Sequence, residues 1–176
     1  AYRMGDRVQV SPKRGALMGR EVTAVLGDRE ALAKKLWPRI EAMRAEEAKV
    51  VLLRDGAPWI RNLAAELFPR RVEILDWHHA VEHINDCARV LYGESAGGEL
   101  SPRANEWSQA QRDRSWEDGV EEVIEGLRFV KAHQKTARKT KAVEDLGRYL
   151  EDNRSAMRYR TFREAGYPIG SGVVES

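Results

Sequence analysis

Two carboxylates in this sequence occupy positions where side chains can bind a divalent cation. Asp55 follows an apolar run at residues 50–53, which is typical of a strand buried on both faces of a parallel sheet. Open α/β sheets bind their ligands at the carboxyl ends of such strands. Glu175 follows the Gly-Ser-Gly turn at residues 170–172 and falls in the first turn of a predicted helix. Together they predict a Mg²⁺ site, because Mg²⁺ prefers carboxylate oxygens.

Each carboxylate also has a simpler interpretation. Asp55 and Gly56 form a common turn pair, and Glu175 in a first helical turn complements the helix dipole. Neither residue indicates a metal site on its own. The prediction that separates the two interpretations is that Asp55 and Glu175 converge in space.

A histidine-rich segment follows the second predicted strand. His79, Glu82 and His83 match the H-x-x-E-H pattern, in which two imidazoles one helical turn apart bind Zn²⁺ in a class of peptidases. The same segment also fits a structural role, in which His79 donates a hydrogen bond to Asp76 and holds the corner between strand and helix. A zinc peptidase is therefore the alternative function.

Strand and helix patterns alternate around these residues. Residues 49–54 and 71–75 are predicted strands with a predicted helix at 58–67 between them, which makes a βαβ unit with parallel strands. Asp28 is a suitable N-cap for an earlier helix. Residues 11–19 contain a proline and two glycines and are predicted to form a loop. From residue 79 to about residue 164 the pattern is helical.

A basic run lies within the helical segment. Its side chains form either a solvated face or a set of contacts to DNA phosphates, which position a duplex without reading its bases. A second basic run, at residues 154–163, alternates with aromatic residues. The residues predicted to bind DNA are Arg128, Lys131, Lys135, Arg138, Lys139 and Lys141.

The bulk composition limits the class of protein. A chain of 176 residues is long enough for one domain, or for one domain that carries an insertion. The single cysteine, Cys87, excludes a disulfide framework. No apolar run approaches the roughly 20 residues that span a bilayer. We therefore expect a cytoplasmic protein without a membrane partner.

Three blocks in this order closely resemble the DDE transposases of bacterial insertion sequences, nearest to the Kra-type elements and their Mutator-like relatives. The blocks are Leu53-Arg54-Asp55-Gly56-Ala57-Pro58-Trp59-Ile60, Ile74-Leu75-Asp76-Trp77-His78-His79-Ala80-Val81-Glu82-His83 and Tyr167-Pro168-Ile169-Gly170-Ser171-Gly172-Val173-Val174-Glu175-Ser176. The resemblance implies an α/β fold with a ribonuclease H-like core. It also implies that Asp55 and Glu175 are the second and third catalytic acids, and that Asp76 and His79 form the D-x-x-H signature of that group.

The resemblance also implies a domain organisation. Residues 1–83 match a partial core that lacks the first strand, residues 84–165 match an all-helical insertion, and residues 166–176 begin the helix that bears the last acid. The first catalytic aspartate is expected upstream of Ala1. We therefore expect a fragment, truncated at both ends and inactive alone.

The activity implied is DNA strand cleavage and strand transfer at the ends of an insertion element, with two Mg²⁺ or Mn²⁺ ions. The implied partners are element-end DNA, target DNA and further copies of the chain in a homo-oligomer at the bacterial nucleoid. A non-catalytic DNA-binding remnant is a further alternative.

Overall fold

The computed structural model describes residues 2–11, 14–23, 28–42 and 49–170. Its first elements are two antiparallel strands, β1 (Tyr2–Ser11) and β2 (Arg14–Thr23), which pair as a hairpin. The helix α1 (Arg29–Ala42) follows. Asp28 caps this helix as predicted, since its Oδ1 accepts a hydrogen bond from the backbone N–H of Ala31 at 2.9 Å.

The prediction of a loop at residues 11–19 is wrong, because most of these residues belong to β2. Glycine in a strand often marks a bulge. The register of the hairpin shifts between Met4 and Asp6, opposite the position of Gly19, and shifts again near Ser11. The glycines of this segment therefore accompany irregularities within a strand pair.

The predicted βαβ unit is confirmed. Strand β3 (Val50–Arg54) pairs in parallel with β4 (Arg71–Leu75), and α2 (Pro58–Leu67) connects them. In the register of this pair, Arg54 lies beside Leu75. The carboxyl ends of the two strands therefore meet at one edge of the sheet, which is called here the sheet edge.

The remaining described chain is helical, as the sequence pattern predicted. Asp76 is the N-cap of α3, and a β-bridge between Glu94 and Leu100 occupies the predicted break at residues 93–102. The helices are α3 (Trp77–Tyr92), α4 (Pro102–Trp116), α5 (Val120–Ala132), α6 (Ala137–Asn153), a 3-10 turn (Arg154–Ala156) and α7 (Tyr159–Glu164).

One hydrophobic core joins the sheet to the helical segment. Leu75 of β4 belongs to the same buried cluster as Ile84 of α3, Leu127 of α5 and Leu150 of α6. The expected domain boundary between residues 83 and 84 falls inside α3. The described part of the chain is thus a mixed α/β fold, mostly helical, with a small parallel sheet that shares its core with the helices.

A long-range cap holds the end of the helical segment in place. Asp118, in the turn between α4 and α5, accepts hydrogen bonds from the backbone N–H of Arg160 at 2.7 Å and from the hydroxyl of Thr161 at 2.5 Å. Partial burial acts to raise the pKa of Asp118, but these hydrogen bonds outweigh it and lower the pKa below its usual range. No helix in the described residues has the length and apolar character needed to cross a bilayer.

Candidate functional site

Asp55 lies at the sheet edge, directly after β3, and its side chain is exposed. Its Oδ1 accepts a hydrogen bond from the backbone N–H of Ala57 at 2.9 Å. Oδ2 accepts no hydrogen bond from the described residues. Gly56 adopts φ +97°, a conformation that favours glycine, so the chain turns sharply behind the carboxylate. An exposed carboxylate oxygen at the end of a parallel strand matches the predicted position of a cation ligand.

A buried polar network fixes the strand that presents Asp55. The guanidinium of Arg54 donates from Nε to Glu73 Oε2 at 2.9 Å and from Nη1 to Asn153 Oδ1 at 2.6 Å. Arg71 donates to the other oxygen of Glu73. Because the Arg54 side chain is 2% exposed, these contacts satisfy a charge that would otherwise be costly to bury. The network ties β3, β4 and the end of α6 into one unit.

Tyr149 of α6 packs directly on the turn after Asp55. Its hydroxyl donates to the backbone carbonyl of Asp55 at 3.2 Å. A Cβ placed on Gly56 would lie only 2.8 Å from Tyr149 Cε2, so only glycine fits beneath the ring without displacement. Burial is the main cause that raises the pKa of Tyr149 above its usual range, so the hydroxyl stays protonated. Tyr149, which belongs to the helical segment, thus fixes the backbone conformation at Asp55, the candidate metal ligand.

Asp76 closes the other strand at the sheet edge. Its backbone N–H donates to the carbonyl of Arg54 at 2.7 Å, which joins the ends of the two strands. Its side chain is buried, and Oδ1 accepts from the backbone N–H of His78 at 2.8 Å. Asp76 therefore has a structural role as the N-cap of α3.

The predicted hydrogen bond from His79 to Asp76 is wrong. His79 Nδ1 lies 3.1 Å from Glu82 Oε2, one helical turn further along α3. The reason is local geometry, since an N-cap carboxylate bonds to the N–H of the second helical residue, while the third residue's side chain faces its neighbour three positions on. The backbone of His78 makes the contact that was assigned to the ring of His79.

The histidines of the H-x-x-E-H pattern have different partners. His83 stacks on Tyr149 with ring centroids 3.8 Å apart, whereas His79 pairs with Glu82. Burial lowers the pKa of His83, against the opposing effect of Asp86. Within the described ranges, no group of three or more His, Cys, Asp or Glu side chains is arranged to hold a metal ion.

Glu175 lies outside the described residues, so its convergence with Asp55 stays a prediction. The segment that leads to it is described as far as Gly170. The carbonyl of Ile169 accepts from the backbone N–H of Trp77 at 2.8 Å, and a Cβ on Gly170 would lie 3.2 Å from the ring of His78. The chain therefore reaches the sheet edge five positions before Glu175.

A cavity of about 450 Å³ opens beside the sheet edge. It lies between the start of α2 and the facing sides of α3 and α6, and it begins at Gly56. The stacked rings of His83 and Tyr149 line it, together with Arg61 and Arg148. Asp55 directly precedes the first lining residue in the chain, and its side chain is exposed to solvent.

The six predicted DNA-binding residues fall into two groups. Lys131 pairs with Glu144 at 2.7 Å and Lys141 with Asp145 at 2.8 Å, while Lys139 donates to the carbonyl of Leu91 at 2.6 Å. The other three have no hydrogen-bond or ion-pair partner in the described part of the chain. They are Arg128, Lys135 and Arg138.

Sequence reasoning missed three residues that shape the site, namely Arg54, Asn153 and Tyr149. One signal was present for Arg54, because a cation that directly follows an apolar run predicted to be buried needs a partner. Asn153 and Tyr149 lie about a hundred positions away in sequence, and their patterns indicated only an amphipathic helix.

The geometry of the sheet edge is compatible with the predicted cation site, but it does not identify a family. No protein-family model, curated protein or solved structure matches this chain. The likeness to DDE transposases therefore rests on the three sequence blocks.

Proposed function

We propose that this chain is part of the catalytic core of a DDE transposase, an enzyme that cleaves and joins DNA strands at the ends of an insertion element. The observation that carries the proposal is the position of Asp55, which is exposed at the carboxyl end of a parallel strand. The segment preceding Glu175 reaches the same edge, next to Trp77.

The order of elements supports a ribonuclease H-like core. The hairpin of β1 and β2 corresponds to the second and third strands of that fold, and β3 and β4 correspond to the fourth and fifth. Asp55 then follows the fourth strand, where the second catalytic acid is expected. In this proposal the mostly helical segment of residues 84–165 corresponds to the insertion that precedes the last acid.

The donor set fits a hard divalent cation. One oxygen of Asp55 accepts no hydrogen bond from the residues that the structure describes, and Glu175 supplies a second carboxylate. Mg²⁺ or Mn²⁺ at such a site supplies charge neutralisation at the phosphate and activation of the attacking oxygen. The protein's own contribution is positioning: the buried network of Arg54 and the ring of Tyr149 hold the Asp55 backbone in place.

DNA binding in this proposal relies on Arg128, Lys135 and Arg138, the cations that have no partner in the described ranges of the chain. Exposed cations without an ion-pair partner can contact phosphates and release counterions. Lys131, Lys139 and Lys141 have to exchange an existing partner first. A homo-oligomer on paired DNA ends, located at the nucleoid, belongs to the same proposal.

The metal site is tested by titrating the chain with Mn²⁺ and following the free ion by electron paramagnetic resonance. We expect one Mn²⁺ site that Asp55→Asn and Glu175→Gln each weaken by roughly tenfold or more. Asp113→Asn is the matched control, since Asp113 is an exposed carboxylate on α4 that accepts a hydrogen bond from the side chain of Gln109.

Two outcomes count against the metal site. The first is that Mn²⁺ does not bind, or binds equally well to Asp55→Asn. The second is that Zn²⁺ binds instead and is lost in His79→Ala and His83→Ala, which would favour the peptidase.

Catalysis is tested on the full open reading frame that contains these 176 residues. We expect Mn²⁺-dependent nicking of plasmid DNA that Asp55→Asn and Glu175→Gln abolish and that Asp113→Asn retains. If nicking persists in Asp55→Asn, the activity comes from another site.

A further inference from the structure

The turn between α5 and α6 lies in a strongly basic stretch. Residues 126–143 contain six lysine and arginine residues and no aspartate or glutamate. Three of the six are engaged within the protein, as described above. Arg128, Lys135 and Arg138 come from the last turns of α5, the connecting turn and the first turn of α6, so they lie at one end of the α5–α6 helical hairpin. Among the residues that the structure describes, an anionic partner would have no ion pair to displace at these three positions.

An exposed aromatic ring lies at the same end of the hairpin. The side chain of Phe129 is 69% exposed, although α5 already buries an apolar face that includes Val123 and Leu127. His133 Nδ1 donates to the carbonyl of Phe129 at 2.9 Å, and the two ring centroids are 4.3 Å apart. His133 thus supports one side of the phenyl ring, while much of the ring remains in solvent.

A groove of about 460 Å³ begins at Phe129 and runs between α4 and α5. Its lining includes the rings of Tyr92 and Trp107, and the guanidinium of Arg103 lies 4.9 Å from the Tyr92 ring centroid. Arg114 adds a second cation, and Glu106 is a carboxylate in this lining. The groove therefore continues the aromatic and cationic character of the hairpin end.

We propose that this surface, called here the α5–α6 tip (Arg128, Phe129, His133, Lys135 and Arg138), binds an unpaired DNA strand. A base stacks on Phe129 while the cations contact the phosphates on either side. The inference extends the proposed function, because it specifies the form of DNA that the helical segment recognises.

The choice of an unpaired strand follows from the exposed ring. Bases in a duplex are stacked on each other, so an aromatic side chain cannot stack on them without unstacking a step. An unpaired strand offers the face of every base, and aromatic rings flanked by cations are the usual way to bind it without sequence preference. The nearby carboxylates are Glu125, one turn before Phe129 on α5, Glu106 in the groove at Phe129, and Glu144 and Glu151 in the groove that Arg128 lines; Glu144 is already paired with Lys131.

The test measures fluorescence anisotropy of a labelled 20-nucleotide oligothymidylate and of a 20-base-pair duplex, each titrated with the chain in EDTA. We expect Phe129→Ala to weaken binding of the single strand about tenfold and binding of the duplex less than twofold. Phe129→Trp should retain binding. Trp59→Ala is the matched control, because Trp59 is another exposed aromatic residue, at 46%, on α2.

A second experiment tests the cations by comparing two triple variants that each remove three positive charges. For single-strand binding, the logarithm of the association constant falls linearly with the logarithm of the salt concentration. The triple variant Arg128→Gln, Lys135→Gln, Arg138→Gln should make this slope shallower by about 2. The control triple is Arg89→Gln, Arg154→Gln, Arg160→Gln, which removes the same charge from residues that are paired with carboxylates. It should have the smaller effect.

Three results would overturn the inference: Phe129→Ala binds the single strand like the unaltered chain, both forms of DNA lose affinity equally, or Phe129 is needed for binding to phosphatidylserine vesicles but not to DNA. Since Phe129 is exposed, far-ultraviolet circular dichroism should show an unchanged fold. Because EDTA removes divalent cations, failure here is distinguishable from failure of the metal site at Asp55.

Discussion

The sheet edge and the α5–α6 tip use charged residues in opposite ways. At the sheet edge, Arg54 is buried and its guanidinium bonds to Glu73 and Asn153. At the tip, Arg128 and Arg138 are exposed and have no partner among the described residues. A buried charge with all its partners stabilises one geometry, whereas an exposed charge without partners contributes little to folding and is available for binding. The comparison separates residues that position a site from residues that contact a partner.

The largest expected effect comes from removing the buried cation. Arg54→Met removes the cation that binds Glu73 Oε2 and Asn153 Oδ1 in the buried network, so we expect the free energy of unfolding to fall by about 3 kcal/mol or more. Urea denaturation followed by circular dichroism measures this loss. Arg138→Met is the matched change at the tip and should alter stability by no more than about 0.5 kcal/mol. If Arg54→Met and Arg138→Met lowered the free energy of unfolding equally, the distinction between a buried positioning cation and an exposed binding cation would be wrong.

Two glycine-to-alanine substitutions, one at the sheet edge and one in α5, should change the stability of the protein in opposite directions. Gly56→Ala imposes φ +97° on a residue with a Cβ and places that Cβ against Tyr149, so it should destabilise the protein by roughly 2 kcal/mol or more. Gly126 lies in α5, where a Cβ meets nothing within 4 Å. Gly126→Ala should therefore stabilise the protein by about 0.5–1 kcal/mol. In thermal unfolding, the midpoint temperature should fall for Gly56→Ala and rise for Gly126→Ala.

A double-mutant cycle divides the cost at Gly56 into its two causes. In a Tyr149→Ala background the steric contact is gone and only the backbone strain remains, so Gly56→Ala should cost less there. A cost that is the same in both backgrounds would show that Tyr149 does not pack on the turn as described.

The smallest expected effect is spectroscopic and concerns His83 under Tyr149. Burial lowers the pKa of His83, so its imidazole stays neutral to lower pH than in the unfolded chain. The sign for stability follows, since the unfolded state binds the proton first and native stability declines as the pH falls below about 6.5. In Tyr149→Ala, a histidine NMR titration should show the His83 pKa moving up. A pKa that does not move would mean that the stacked ring is not the source of the burial.

Much of the fold followed from local patterns. The apolar run at residues 50–53 predicted β3, the spacing to residues 71–75 predicted a parallel partner, and Asp28 predicted the start of α1. These predictions hold because periodicity and capping act over a few residues. The loop predicted at residues 11–19 failed because its glycines lie in a paired strand, and pairing depends on a partner that is distant in sequence.

The sequence predicted only those parts of the candidate site that depend on one residue and its neighbours in the chain. The position of Asp55 at the sheet edge could be predicted from the strand before it. The partner of His79 could not, because several carboxylates are within reach along a helix and the packing of the corner selects one. Convergence of Asp55 with Glu175 stays a prediction, since Glu175 is outside the described residues.

The sequence by itself determined β3, β4 and the described helices, because local apolar spacing and caps decide those. It also determined that a carboxylate ends β3. Only the tertiary structure decided that Arg54 meets Asn153 across 99 positions and that Tyr149 packs on Gly56. It also decided which three of the six cations have no partner within the described residues, because ion pairing depends on the carboxylates that neighbouring helices bring into reach.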